Sequence, residues 1–167
     1  MKMNNSVGQL IEFEHVNLVD TSLETEQSLK AAIVEATDYL LFYNWVERIN
    51  KIYVGEYFEG ILGIFLFNIE PKLFGVDDYT WVIVGDLPSA YVTVEDSPNP
   101  ACALDGYIGA VEQWTAAVFE GKSLQNLIPV NAEPTISNAK QLERRLEFLD
   151  QEIMPRCKGL LHPTTLN

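Results

Sequence analysis

Side chains suited to acid–base or nucleophilic chemistry are scarce in this sequence: two histidines, His15 and His162, and two cysteines, Cys102 and Cys157, among 167 residues. Histidine is the usual proton-transfer group near neutral pH, yet one stands in a leader segment and the other in the C-terminal tail. A histidine pair with a lysine can cleave RNA, but a chain this acidic repels that substrate. Cys102 falls near the start of an expected helix, where a thiol pKa can drop. Flanked by Ala101 and Ala103, it reads instead as a small packed core residue. No C-x-x-C pair or His/Cys cluster offers a zinc ligand set, and no nucleophile elbow, P-loop or dinucleotide fingerprint is present. Gly60-Ile61-Leu62-Gly63 suits a bulge or a close-packed strand better than a phosphate loop.

Carboxylates are abundant. The chain carries 24 Asp and Glu against 11 Lys and Arg, a formal net charge of −13. Two acids held about 5–10 Å apart in a cleft can hydrolyse a glycoside, but so many acids qualify that the pattern names no pair. The excess is unevenly distributed. Residues 1–51 carry −4, residues 122–167 carry +1, and residues 52–121 carry −10, with Lys72 their only base. Solubility alone requires no such segregation. A polyanion or an anionic membrane is an unfavourable partner for this chain, whereas a basic protein is a favourable one. The expected surface comprises the doublets Asp77-Asp78 and Glu95-Asp96, with Asp86 in a third turn. Asp105 and Glu112 join it on a helix face that also carries Gly109, Ala116 and Glu120. Tyr79 and Tyr91 are the candidate apolar anchors.

The elements that must position these residues follow from periodicity. Thr21-Ser22-Leu23-Glu24 reads as a helix start, and Leu29, Ile33, Ala36, Leu40 and Tyr43 continue on one face, extending the expected helix to Ile49. Strands are expected over Ile52 to Phe58, Gly60 to Ile69, Tyr79 to Val84 and Tyr91 to Val94, where aromatic and β-branched residues concentrate. The strand Ile61 to Phe67 is apolar on both faces, so helices should cover both sides of the sheet. Asn99 caps a helix with Pro100 in its first turn, Leu104, Ile108, Val111, Thr115 and Val118 as its core stripe, and Gly121 at its end. A last helix carries Leu142, Leu146, Leu149 and Ile153 and stops at Pro155. The expected fold class is α+β: one domain over 1–167, a small mainly antiparallel sheet of three or four strands, three or four helices, and loose ends at about 1–10 and 156–167. Met1 to Leu10 lacks the apolar run of a signal peptide and no stretch approaches membrane-spanning length, which suggests a cytosolic chain with both thiols reduced.

Two stretches, Trp81-Val-Ile-Val-Gly-Asp-Leu-Pro-Ser-Ala-Tyr91 and Pro98-Asn-Pro-Ala-Cys-Ala-Leu-Asp-Gly-Tyr-Ile-Gly-Ala110, together with Phe58 to Pro71, resemble a family of small bacterial immunity proteins of contact-dependent growth inhibition systems. The resemblance spans roughly residues 35–155 and rests on turns, a cap and core positions. It implies inhibition without catalysis: the protein would bind the toxin domain of its own system, often a basic nuclease, and cover its active site or substrate groove. It carries over no binding residue, cofactor or metal; the acidic candidates rest on charge alone. The oligomeric state is not fixed by the sequence. Two alternatives are a small-molecule enzyme with carboxylates in a cleft beside the sheet, and a structural module whose acidity serves only solubility.

Overall fold

A computed structural model describes residues 11–12, 23–157 and 159. Five strands form one antiparallel meander in the spatial order of the sequence: β1 (Ile11–Glu12), β2 (Val46–Phe58), β3 (Leu62–Pro71), β4 (Tyr79–Gly85) and β5 (Ala90–Thr93). β1 adds two residues to the edge of a four-stranded sheet. Helix α1 (Leu23–Leu41) precedes the main strands, and α2 (Pro100–Glu120) and α3 (Ile136–Phe148) follow them. The chain is therefore α+β with a small antiparallel sheet. The helix start expected at Thr21-Ser22 and both expected loose ends fall wholly or largely outside the described residues.

β3 lies in the middle of the sheet and dictates its layering. Residues 62–67 are all buried, and fully burying a large apolar side chain is worth about 1.5–3 kcal/mol. Leu62, Ile64 and Leu66 join Trp81 and Ile83 against Leu104, Ile108 and Val111 of α2 and Leu142 and Leu146 of α3. Phe65 and Phe67 join Val82 and Val84 against Leu29, Ile33, Ala36 and Leu40 of α1. Helices cover both faces, as a central strand apolar on both sides requires.

The helix expected to reach Ile49 ends at Leu41, and the chain is already in β2 at Val46. Three register irregularities in the β2–β3 pairing, between Val46 and Arg48, Ile49 and Lys51, and Val54 and Glu56, explain the difference. Each bulge sets an extra residue against the partner strand and breaks the period-two alternation, so Val46, Ile49 and Ile52 share the α1 face at a three-residue spacing that imitates a helix. The last bulge brings Gly55 under the Trp81 ring. A Cβ there would lie 2.9 Å from Trp81 Cζ3 and 2.9 Å from the Ile64 carbonyl oxygen, so only glycine fits. Gly60, with φ 74°, belongs to the β2–β3 turn and Gly63 to β3, so the Gly60–Gly63 run is turn and strand.

The α2 boundaries agree with the sequence. The Asn99 side chain accepts a hydrogen bond from the Cys102 N–H at 2.8 Å, and Gly121 closes the helix in the left-handed conformation. Its core stripe is buried throughout. Leu149 and Ile153 are buried in a π-helical turn (Leu149–Ile153), followed by a 3-10 turn (Met154–Arg156) that contains Pro155.

Candidate functional site

The β4–β5 ladder decides which acids meet. Thr80 pairs with Thr93 at the last rung. The residues just before the first and just after the second, Asp77-Asp78 and Glu95-Asp96, therefore leave the sheet at the same end. Asp78, Glu95 and Asp96 are exposed and Asp77 is half-buried. The Thr93 hydroxyl donates to Asp96 Oδ2 at 3.2 Å, and the four carboxylates make no ion pair among the described residues. Two buried anchors hold this end. The Trp81 indole donates to the Ser97 carbonyl at 2.6 Å, and the Ser97 hydroxyl donates to the Cys102 carbonyl at 3.3 Å, tying the turn after β5 to the first turn of α2.

Beside the doublets, on the α1 face, lies a groove of about 260 Å³. Trp45 and Tyr91 wall it, with ring centroids 5.4 Å apart. Thr80 and Thr93 line its base, and Leu73, Val76 and Asp77 its outer side. The Tyr43 ring sits 5.1 Å from Tyr91, and Tyr39 packs edge-on to Tyr43 at 5.4 Å. Burial, the Tyr43 hydroxyl and neighbouring tyrosines push the Tyr39 hydroxyl pKa well up, partly offset by its hydrogen bond to the Tyr91 backbone. Apolar side chains around this cluster face solvent: Phe42 is 86 % exposed, Leu73 61 % and Phe74 fully. Leu73 lines this groove, whereas Phe42 packs edge-on to Tyr43 and lines a neighbouring one; large exposed apolar side chains of this kind are candidates for interaction.

The sequence-predicted residues thus divide. Asp77, Asp78, Tyr91, Glu95 and Asp96 come together. Tyr79 borders the same groove, but it alternates with Trp81 and packs on the α2-side core, whereas Tyr91 opposes Val82 and faces α1, so the two tyrosine side chains point to opposite sides of the sheet. Asp86 follows β4 at the far end, 3.9 Å from Arg145 Nε. Asp105 and Glu112 are exposed on α2 with Glu120, Glu112 about 10 Å further along the helix axis than Asp105. The sequence does not single out Phe42, Trp45 or Phe74: the helical spacing up to Ile49 takes in Phe42 and Trp45 as core-face residues, and a lone surface aromatic such as Phe74 carries no motif.

A larger groove of about 850 Å³ lies between the end of α1, the β4–β5 turn and α3, and contains Asp86 and Arg145 as its charged residues. A third, of about 250 Å³, contains Glu35 and Asp86, both exposed. Among the described residues the buried carboxylate is Glu56, which lines none of the three. No group of three or more metal-ligating side chains occurs among the described residues. Neither Cys102 nor Cys157 forms a disulfide among the described residues. The Cys102 thiol pKa is raised by burial, with Asn99 opposing and Asp105 assisting, and the Cys157 thiol is pushed up to about 12 by burial and Glu56. A thiol held protonated is a poor nucleophile. No described helix is long and apolar enough to cross a membrane. No protein family matches the chain, and no curated protein or solved structure is significantly similar to it.

Proposed function

We propose that the protein is a cytosolic immunity protein that binds a cationic toxin domain, with a basic nuclease as the expected class, and neutralises it by covering its active site or substrate groove. The observation that carries this reading is the convergence of the doublets Asp77-Asp78 and Glu95-Asp96 at one sheet end beside an exposed aromatic surface. Carboxylates at that end would stand where nucleic-acid phosphates otherwise bind and would accelerate encounter. Tyr91, Trp45 and Phe42 would supply the desolvated area that slows dissociation. The sequence resemblance to growth-inhibition immunity proteins supports the same reading.

Growth rescue tests it. A toxin gene is expected directly upstream, a metabolic operon there would sink the immunity reading, and cells expressing that toxin domain should survive with the wild-type protein. Reversal of all four doublet acids to lysine should abolish rescue and slow association at low salt by about tenfold or more. Equal rescue and salt-independent association by the reversed protein would remove this surface from the interface.

A further inference from the structure

The groove beside the doublets is too small for a helix or an extended segment and suits one long side chain. Its walls are the Trp45 and Tyr91 rings, its base the Thr80 and Thr93 side of the sheet, and its one charged lining residue is Asp77. Asp77 makes no ion pair or hydrogen bond among the described residues. Lys72, in the adjoining loop, has its ammonium 4.0 Å from Glu47 Oε2, and no basic residue lines the groove. Aromatic walls and a single carboxylate call for an apolar stem that ends in a delocalised cation.

We infer that this groove receives an arginine side chain projecting from the cationic partner, with the guanidinium stacked on one ring of the Trp45–Tyr91 pair, the other ring closing its side, and its N–H groups bonded to the Asp77 carboxylate. Arginine fits better than lysine because its planar, weakly hydrated head can stack on a ring and meet a carboxylate at once. Asp96, joined to the groove through the Thr93 hydroxyl, adds negative potential at the mouth. Exposed Leu73 lines the groove and would exclude water around the seated side chain. The inference rests on reading this surface as the docking site for a cationic protein.

The test titrates the isotopically labelled full chain with acetyl-Gly-Arg-Gly-amide and with its lysine and citrulline counterparts, following backbone amides and tryptophan indoles by NMR. The arginine peptide should shift Thr80, Tyr91, Thr93 and the Trp45 indole saturably, with the neutral citrulline peptide about tenfold weaker. The lysine peptide should be roughly threefold weaker than arginine, and Asp77→Asn and Trp45→Leu should each weaken arginine binding by roughly threefold or more. Equal binding of citrulline, shifts confined to other residues, or an unaffected Asp77→Asn protein overturns the inference. Concentration-dependent shifts of the same amides without peptide would overturn it as well, assigning the groove to a second copy. Growth rescue by the wild-type protein combined with failure of the arginine peptide removes the pocket and leaves the immunity reading standing. Peptide binding without rescue does the reverse.

Discussion

Replacing Trp81 with phenylalanine probes the joint on which the doublet end depends. Trp81 has no exposed surface, and its indole N–H reaches the Ser97 carbonyl at 2.6 Å. Phenylalanine cannot donate, so the carbonyl loses a buried partner at a cost of about 1–3 kcal/mol. Losing the second ring removes roughly two to three methylene-sized groups from the core, worth about 2 kcal/mol. The expected loss is thus about 3–5 kcal/mol, and at about 2–4 °C per kcal/mol for a chain of this length the melting temperature falls by about 10 °C. Trp114 supplies the control: it is 3 % exposed and its indole has no hydrogen bond among the described residues, so Trp114→Phe should lose the packing part alone. Calorimetry of both variants separates the two contributions. Equal losses would show that the indole bond contributes nothing, and a Trp81→Phe protein melting within about 2 °C of wild type would refute the burial argument too.

Gly55→Ala should destabilise the fold by about 1–3 kcal/mol, read as a lower urea midpoint at an unchanged m-value, because its methyl would stand 2.9 Å from both the Ile64 carbonyl and the Trp81 ring; a midpoint equal to wild type would mean that the β2 bulge yields freely. Stability should also decline in alkali. Burial raises the hydroxyl pKa of Tyr107 and Tyr39, and it pushes the Cys157 thiol from 9.0 to about 12. The unfolded chain therefore releases these protons first, so stability is fully present below about pH 9 and falls as pH climbs toward the folded values. Urea midpoints should drop steadily from pH 9 to 11, less steeply in Cys157→Ser; a flat profile in the wild-type protein contradicts the assignment.

The fold was legible wherever one physical signal was enough. Asn99-Pro100 and Gly121 mark α2 because a cap, a fixed φ and a left-handed residue are local requirements that tertiary contacts seldom override. β3 was legible because an apolar run on both faces has one stable surrounding, a sheet covered on both sides. β2 failed because its bulges are features of pairing with β3. Nothing within residues 46–56 announces them except Gly55, whose reason is the Trp81 ring arriving from a strand that follows it by more than twenty positions.

The site divides along the same line. Charge by segment located the acidic excess but could not assemble it, because assembly depends on register. Sliding β5 by one residue against β4 would turn Tyr91 from the α1 face to the α2 face, away from Trp45. With Thr80 opposite Thr93, Tyr91 opposes Val82 instead, and Asp77 and Asp96 flank one groove. That register is held by buried side chains that carry no charge: Trp81 on Ser97, and Tyr107, whose hydroxyl donates to the Pro88 carbonyl in the β4–β5 turn at 2.6 Å. Surface charge of this kind is cheap to change, whereas the sheet end that gathers it rests on a few buried groups at opposite ends of the β4–β5 hairpin. A change of partner specificity is therefore expected to come from substitutions at Asp77, Asp78, Glu95 and Asp96 with Trp81 and Tyr107 retained, since altering either anchor disturbs the ladder that brings the acids together.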